Sequence, residues 1–416
     1  MEKHPSELRR AAGSVRGPTT ADLTRPALRR ARVRVVIVYV AVVSGVTLPT
    51  TLYPDFQSRW GLSTGEVTGL YALYPVGVLL VLLCAGHWAD EVGRRPVVAV
   101  ALVCSALSSL LFVTAVSPWM AAAARVLTGL ASGFVVNGAN ALLVELAPAA
   151  GRRRASIASA ATNQAGLGLG AVVSAGLVQY AWAPEHLVFA VHLTALTLTA
   201  GIIFSVPETI QVVRRPTMQL RGLRLPLAGR PEFLSASGAA FAAFALCGLL
   251  AALAPTMVRS GLHRDSPLLS GAAVALVFFA SAATQAFWGH WSDRTVFLSG
   301  VVLMLVALAT LAAGVAGGSV VTFLAGVGIS GAAVGALFLS SLAIVNAVAL
   351  DDSRASTLGL YFVFTFSGLI VPVVATGVAV DHMSQAQAVS AFAVGIAAVT
   401  IASTGLFLVS SRRATR

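Results

Sequence analysis

Long runs of apolar residues are the feature of this sequence that most restricts its fold. A helix needs about 20 apolar residues to cross the hydrocarbon core of a bilayer. Twelve such runs are predicted, near residues 35–54, 66–86, 97–116, 119–141, 156–180, 186–206, 236–257, 268–289, 297–317, 320–348, 356–380 and 386–410. The even count depends on two short breaks, Ser117-Pro118 between the third and fourth runs and Gly317-Gly318-Ser319 between the ninth and tenth.

The composition also indicates a membrane-embedded chain. Of its 416 residues, 57% are hydrophobic and only 11% are charged, whereas soluble domains carry about 25% charged residues. A chain so poor in charge cannot cover a water-facing surface. The net charge of +12 does not indicate a nucleic-acid partner, because the basic residues lie between the apolar runs and not in one soluble module.

The basic residues favour alternate connections, which predicts the orientation. Cytoplasmic loops of membrane proteins are enriched in lysine and arginine. With the N-terminus inside, the outer loops carry only Arg59, Arg259 and Arg264, and the inner segments carry the remaining basic residues of the connections. We therefore expect a multi-pass protein of the cell membrane with both termini in the cytoplasm.

The runs and connections predict five segments. They are a cytoplasmic N-terminal tail at 1–33, a six-helix half at 34–206, a cytoplasmic central loop at 207–235, a second six-helix half at 236–410 and a cytoplasmic C-terminal tail at 411–416. Several prolines and a glycine in the central connection are typical of a loop.

A repeated motif indicates that the two halves are related. Gly86-His87-Trp88-Ala89-Asp90 ends the second run, and Gly289-His290-Trp291-Ser292-Asp293 ends the eighth. Two shorter matches follow the same order, Arg59-Trp60-Gly61-Leu62 with Arg259-Ser260-Gly261-Leu262 and Arg154-Ala155-Ser156 with Arg354-Ala355-Ser356. Transporters are often built from two such halves, with the solute site between them. The predicted fold is therefore an all-α membrane protein with twelve transmembrane helices in two pseudo-symmetric halves.

The first copy of the motif continues as Glu91-Val92-Gly93-Arg94-Arg95. Gly86 lets two helices approach closely, Asp90 can accept hydrogen bonds at a helix end, and the two arginines hold the loop inside. The alternative is an ordinary cytoplasmic loop, which would need the basic residues. Such a loop would not need the spacing of glycine, aspartate and arginines, or a second copy of the motif at the end of the eighth run. The stretch resembles the loop signature of the major facilitator superfamily, which implies its twelve-helix fold.

Other stretches resemble the same superfamily, particularly its drug- and metabolite-exporting branch. Arg125 precedes Gly129 and Gly133 as in the family's fourth helix, and Glu145 with Arg152–Arg154 resembles its cytoplasmic charge cluster. Further matches are Pro207-Glu208-Thr209 after helix six and the glycines Gly166, Gly168, Gly170 and Gly176 in helix five, where Ala171 replaces the proline of the antiporter motif. An arginine inside a membrane helix is costly and usually functional or paired. For Arg125 the alternative is snorkelling to the surface.

The resemblance implies alternating access by rocking of the two halves. Cytoplasmic contacts between the halves would then stabilise the outward-open state. The gating and conformational candidates are Gly86, Asp90, Gly93, Arg94, Arg95, Glu145, Arg154, Gly289, Asp293 and Arg354. The second motif copy continues as Arg294-Thr295-Val296, without the glycine and double arginine, so the gate chemistry should rest mainly on the first copy.

In this family helices 1, 4, 7 and 10 line the cavity, with help from 2, 5, 8 and 11. The substrate-cavity candidates on these helices are Tyr39, Thr47, Tyr71, Tyr74, Arg125, Asn137, Asn163, Gln164, Gln285, Tyr361 and Thr365. Prolines 49, 75 and 255 could bend helices and free backbone carbonyls. A mostly apolar cavity with one positive charge suits a moderately lipophilic neutral or anionic organic molecule better than a sugar or a cation.

Proton coupling requires a titratable group on the pathway, and no acidic residue lies at the centre of a predicted helix. The candidates are Glu66, which starts the second helix, and His192 in the sixth. His192 is equally consistent with a packed or hydrogen-bonded side chain, and a sodium site or an uncoupled uniporter stays open. Neither a metal nor a cofactor is expected.

The predicted function is a secondary transporter, working as a monomer, that exports a small organic compound such as a drug, antibiotic or metabolite by proton antiport. The alternative is an importer that takes up an organic acid or another small nutrient by symport. A membrane enzyme would need a catalytic cluster and a receptor would need a signalling domain, and the sequence offers neither. It also lacks the phosphate-binding glycine loop of an ATP-driven pump.

Overall fold

The computed structural model describes residues 24–210, 222–226, 229–350 and 352–414, with side chains as far as residue 410. Within these residues all regular structure is helical. The twelve long helices are α1 (Arg25–Trp60), α2 (Thr64–Cys84), α3 (Arg94–Val113), α4 (Pro118–Glu145), α5 (Arg152–Tyr180), α6 (Pro184–Phe204), α7 (Arg230–Gly261), α8 (Pro267–Trp288), α9 (Asp293–Ala316), α10 (Val320–Val348), α11 (Arg354–His382) and α12 (Gln385–Ala414). The predicted all-α membrane fold is confirmed.

Eleven of the long helices in the described residues are long and apolar enough to cross a membrane. The exception is α5, which begins with three arginines and carries Asn163 and Gln164. Both doubtful breaks are real: Ser117 caps α4 by accepting a hydrogen bond from the Met120 N–H, and Ser319 caps α10 in the same way through Thr322. Such caps satisfy backbone donors that would otherwise be unpaired.

Some helix boundaries differ from the sequence prediction. Helix α1 begins at Arg25, ten residues before the predicted start, and α7 begins at Arg230 instead of 236. Apolar runs locate the part of a helix that lies in hydrocarbon, and they miss basic first turns, even though arginine is a good helix former. Residues 24–33 of the predicted tail are thus part of α1 or its cap, whereas 1–23 and 211–221 lie outside the described residues.

Helix α1 is interrupted near its middle. It is α-helical over Arg25–Ser44, 3-10 helical over Leu48–Leu52 and α-helical again over Tyr53–Trp60. Pro49 has no backbone N–H and cannot continue a regular helix. The N–H of Thr50 bonds to the Thr47 carbonyl at 3.1 Å, which leaves the Val46 carbonyl without its usual partner four residues on.

Glycines allow the helices of the first half to pack at very short distances. A Cβ at Gly129 in α4 would lie 2.2 Å from the Tyr74 carbonyl oxygen and 2.8 Å from the Cα of Gly77 in α2. A Cβ at Gly170 in α5 would lie 2.1 Å from the Ser44 carbonyl oxygen of α1. Close backbone approach at small residues is the usual way in which membrane helices associate.

Two helix pairs provide most of the contact between the first six helices and the last six. Helix α5 packs against α8, and α2 packs against α11. The α5–α8 pair runs antiparallel, because Gly289 at the end of α8 meets Ile157 at the start of α5, and Gly271 near the start of α8 meets Ala175 near the end of α5. The α2–α11 pair is antiparallel as well, since Gly65 at the start of α2 meets Asp381 at the end of α11. The space between these two pairs is where a solute site can lie.

We expect Gly129→Ala to destabilise the protein, because the new methyl group would overlap backbone atoms of α2. Overpacking of this kind costs about 1–3 kcal/mol. The matched control is Gly201→Ala in α6, where a Cβ has nothing within 4 Å, and it should leave stability unchanged or raise it by up to about 1 kcal/mol, as alanine favours a helix over glycine. Thermal unfolding of the purified protein measures both, and equal melting temperatures for the two variants would contradict the packing assignment.

Candidate solute cavity and its closures

A cavity of about 230 Å³ lies between the two groups of six helices. Its lining residues come from α1, α2, α4 and α5 on one side and from α7, α8, α10 and α11 on the other. These are the eight helices that the sequence resemblance implied. The cavity therefore lies where the two helix groups face each other.

The two walls of the cavity differ in chemistry. The polar lining residues all belong to the first half: Tyr39, Thr47, Thr50, Tyr71, Tyr74, Ser132, Asn140, Ser156, Ser159, Asn163 and Gln164. The second half contributes a wall of Phe244, Cys247, Ala251, Phe278, Val334, Phe338, Leu342, Phe362, Phe366 and Leu369. A molecule with one hydrogen-bonding edge and one apolar or aromatic face would match both walls at once.

The cavity reaches one face of the helix bundle. We call this face, where α1 begins and α4 ends, the termini face, and the opposite one, where α2 begins and α11 ends, the far face. The lining residues extend to Val144 near the end of α4 and Ser156 near the start of α5, and Ser156 is exposed. A solute in the described state would thus enter or leave at the termini face.

At the far face, which the cavity does not reach, a carboxylate joins the two halves. The Asp381 side chain, at the end of α11, accepts hydrogen bonds from the backbone N–H groups of Thr64 at 2.9 Å and Gly65 at 2.8 Å. These groups are the free donors at the start of α2, where the helix dipole also favours a negative charge. A Cβ at Gly377 would lie 2.1 Å from the Thr68 hydroxyl oxygen, so the two helices touch directly below this bridge.

Sequence reasoning did not find Asp381, because its partners are backbone groups that leave no mark in the sequence. One signal was present. An aspartate in the last turn of a helix opposes the helix dipole, so its position there suggests a partner elsewhere.

Arg125 is fully buried in α4, directly behind the polar wall. Its Nη1 donates to the free Val46 carbonyl at 2.8 Å, and the rings of Tyr71 and Tyr74 each lie 5.4 Å from its Cζ. Its Nε and Nη2 have no hydrogen-bond partner, and no carboxylate of the described residues lies within 4.0 Å. The side chain does not snorkel, which removes the alternative considered for it. It is a buried cation held by two aromatic faces and one carbonyl.

Six of the eleven predicted cavity residues line the cavity, namely Tyr39, Thr47, Tyr71, Tyr74, Asn163 and Gln164. The other five do not. Asn137 donates to the Gly86 carbonyl at 2.7 Å, and Gln285 donates to the Ser281 hydroxyl. The Tyr361 hydroxyl lies 2.8 Å from that of Ser341, and Thr365 donates to the Tyr361 carbonyl. Arg125 lies behind the wall. Apolar runs locate a helix but do not say which face points inward. Solute binding by any of these residues stays a prediction.

The first copy of the repeated motif forms an ionic network at the termini face. Arg94 donates to Asp90 at 2.7 Å and to Glu145 at 2.9 Å, and Glu145 also accepts from the Thr209 hydroxyl. The backbone N–H groups of Arg94 and Arg95 each donate to Glu208 at 3.0 Å. Gly93 has a φ of 109°, which favours glycine. The charge cluster and the Pro-Glu-Thr segment are therefore one unit within the first half.

The remaining gating candidates lie around this network or on the second half. Gly289 packs against Ile157 across the halves, and the Gly86 carbonyl is the acceptor for Asn137. Arg154, Asp293 and Arg354 are exposed. The predicted inter-half contacts belong to an outward-open state, whereas here the far face is closed, so the gating roles stay predictions.

The two proton-coupling candidates have local partners. His192 is buried, with Nδ1 2.8 Å from the Ser109 hydroxyl and Nε2 2.8 Å from the Ala41 carbonyl oxygen, and it does not line the cavity. Glu66 forms a capping box with Ser63 at the start of α2. Both positions have a structural explanation, and their role in coupling stays a prediction.

Comparisons with known proteins agree with this architecture. A model of the Major Facilitator Superfamily matches residues 35–264. A gallate transporter of Pseudomonas putida is 29% identical over 181 residues, which are 42% of this chain and 40% of that protein. Multidrug resistance protein 1 of Bacillus subtilis (strain 168) is 26% identical over 102 residues, 24% of this chain and 26% of that protein. The matches thus span well under half of the length of these curated relatives.

Solved structures share the fold over nearly the whole chain. The human organic anion transporter TETRAN has a TM-score of 0.66 and 17% identity, covering 91% of this chain and 99% of its own. A bacterial homologue of the human lysosomal transporter Spinster, inward-facing and occupied, has a TM-score of 0.69 and 15% identity, covering 94% and 98%. At this level of identity the likeness concerns the fold alone.

We expect Asp381→Ala to open the far face more often, because α2 loses the carboxylate that holds its first N–H groups to α11. Cys247 lines the cavity and serves as a natural reporter once Cys84 and Cys104 are replaced by serine. Its labelling by a membrane-impermeant maleimide from the far face should rise about fivefold, since a carboxylate at a helix N-terminus contributes about 1 kcal/mol. The control is Asp265→Ala, in the exposed loop before α8, and unchanged labelling in Asp381→Ala would contradict the closure.

Proposed function

Since this chain belongs to the major facilitator superfamily of membrane transporters, we propose that it carries a small organic compound across the cell membrane by secondary active transport with alternating access. The observation that supports this most is the cavity between the halves, which reaches the termini face and is closed at the far face by Asp381. A monomer contains the complete cavity, so one chain should suffice for transport.

The orientation is part of the proposal. The termini face carries the arginines that start α5 and the network around Arg94, whereas the far face is poor in basic residues. By the positive-inside rule the termini face is cytoplasmic. The described state is then open to the cytoplasm and closed to the outside.

The chemistry of the two walls suggests the kind of solute. Five phenylalanines on the second half offer an apolar surface, and tyrosine, asparagine and glutamine side chains on the first half offer hydrogen bonds. A sugar would leave many hydroxyl groups against the phenylalanine wall, where unpaired polar groups are costly. A largely apolar organic molecule with one polar edge fits better.

For the direction of transport we propose export by proton antiport, with drugs, antibiotics or metabolites as the compounds moved. The glycine-rich α5 resembles the antiporter motif of exporters, and one relative is named a multidrug resistance protein. Glu66 and His192 remain our candidates for the proton-coupling groups.

A second candidate function, import of an organic acid by symport, is favoured by a specific observation. Arg125 is a buried cation with two unpaired donor atoms and no acidic partner among the described residues, and it lies behind two tyrosines of the cavity wall. A carboxylate solute in the cavity would lie on the other side of these tyrosines and would bring a negative charge near the buried cation. The relative named a gallate transporter agrees with such a cargo.

Proteoliposomes with an imposed pH gradient test the proposed function. For an antiporter, adding a transported compound on the side opposite to the protons should dissipate the gradient, which a pH-sensitive dye inside the vesicles reports. A symporter would instead carry a labelled aromatic acid together with protons, so the label would accumulate on the alkaline side. A panel of lipophilic drugs, benzoate and gallate distinguishes the two, and no flux of any compound above protein-free vesicles would contradict both.

Arg125→Gln tests whether the buried cation selects for a carboxylate. We expect uptake of benzoate relative to its uncharged analogue benzamide to fall by about tenfold, since two opposite charges about 10 Å apart across the tyrosine rings attract by about 1.5 kcal/mol. Arg125→Lys keeps the charge and should retain part of the preference. Because the ratio is taken within one variant, a lower amount of folded protein does not change it. An unchanged ratio in Arg125→Gln would remove the organic-acid candidate.

A further inference from the structure

A second groove, which shares only Ser159 with the solute cavity, lies between α1, α4 and α5 near the termini face. Its volume is about 290 Å³. Helix α5 presents Ala155 and Ala158 to this groove, whereas its residues Asn163 and Gln164 line the solute cavity. Exposed apolar side chains of α1, Val33 and Ile37, also line the groove, so it opens at the outer surface of the bundle.

The groove follows from the distribution of glycines in α5. Gly166 and Gly170 bring α5 against α1, because a Cβ at Gly166 would lie 2.3 Å from Cγ2 of Val43. Toward the termini face α5 has no further glycine before Gly151. The helices separate there, and Leu143 of α4 forms part of the wall.

The wall of the groove is apolar even where it contains hydroxyl groups. The Thr162 hydroxyl donates to the Ala158 carbonyl at 2.8 Å, and the Ser159 hydroxyl donates to Oδ1 of Asn140. These donors are already used within the protein. What remains for a ligand is a hydrocarbon surface built from valine, isoleucine, leucine and alanine.

The mouth of the groove is cationic. Arg29 and Arg32 lie about one helical turn apart on α1, just before the apolar run that begins at Val35, and no acidic residue lines the groove. Neither arginine has an ion-pair partner among the described residues, and the Nε of Arg32 is buried without an acceptor. Arg34, by contrast, donates to the Ser205 carbonyl. An unpaired buried donor is costly, so a ligand that brings an acceptor to Nε of Arg32 would be stabilised there.

We propose that this groove binds an anionic phospholipid. The phosphate lies at Arg29 and Arg32, and the part of an acyl chain nearest the headgroup lies along α1 and α5. The arginines and the apolar wall lie at the depths in the bilayer at which such a lipid has its headgroup and its acyl chains. The arginines stand where the apolar run begins, which is headgroup level, and the apolar wall follows inward. Basic pockets between membrane helices recognise anionic headgroups. A free phosphate would leave the apolar wall empty, and a zwitterionic lipid would bring no net charge to the arginines.

The test measures lipid binding and does not depend on transport. The full chain is purified from nanodiscs that contain equal amounts of phosphatidylglycerol and phosphatidylcholine, and native mass spectrometry counts the retained lipid. Wild type should retain phosphatidylglycerol in preference, and millimolar inorganic phosphate should not displace it. Arg29→Gln/Arg32→Gln should lower the preference by about 25-fold, as each arginine contributes about fivefold.

Two further variants separate the groove from general surface charge. Ala158→Leu fills the apolar wall without changing charge and should lower retention as well. Arg230→Gln/Arg294→Gln removes two exposed arginines at the start of α7 and α9 and should leave retention unchanged. The proposal would be overturned if Arg29→Gln/Arg32→Gln retained as much phosphatidylglycerol as wild type, or if the control pair lost as much. It would also be overturned if Ala158→Leu had no effect, or if inorganic phosphate displaced the lipid.

Discussion

In a bilayer every backbone N–H and C=O group must find a partner within the protein, and the irregular points of this structure show how that requirement is met. The break in α1 at Pro49 frees the Val46 carbonyl, and the guanidinium of Arg125 occupies it at 2.8 Å. The hydroxyls of Thr47 and Ser174 tie the same break to α5 through the Leu167 and Leu48 carbonyls. The start of α2, with its own free donors, is satisfied by Asp381 from the other half. Helix breaks and ends are therefore the places where distant parts of the chain are joined.

The closure at the far face has a strength suited to a transporter. The exposed carboxylate of Asp381 at the start of α2 contributes about 1 kcal/mol, because water competes for its two hydrogen bonds. A conformational equilibrium that differs by a few kcal/mol leaves the minor state populated and lets a ligand shift it. The closure is thus strong enough to favour one state and weak enough to be broken in each cycle. The α5–α8 pair, packed on small residues along its length, can act as the hinge-like seam around which the halves move.

Much of the fold could be predicted from the sequence, because membrane helices are recognised by the length and apolarity of their residue runs. The twelve helices and the charge cluster around Arg94 followed from apolar runs and from motif spacing. The orientation of side chains did not follow, since an almost uniformly apolar helix gives no periodic signal, and so Tyr361 and Gln285 were expected in a cavity that they do not line. The phenylalanine wall and Asp381 were missed for a related reason. Phenylalanine is common on lipid-facing surfaces, and a carboxylate bound to backbone groups has no partner residue to find.

Alternating access requires that the two halves move against each other about this cavity. Spin labels at Ser58→Cys and Met383→Cys on the far face, and at Arg153→Cys and Arg294→Cys on the termini face, report the separation of the halves by pulsed electron resonance. The cysteine-free protein in nanodiscs is measured with and without a transported compound. Alternating access predicts opposite changes, with the far-face distance lengthening as the termini-face distance shortens. Distances that stay fixed on both faces, or change in the same direction, would contradict the account.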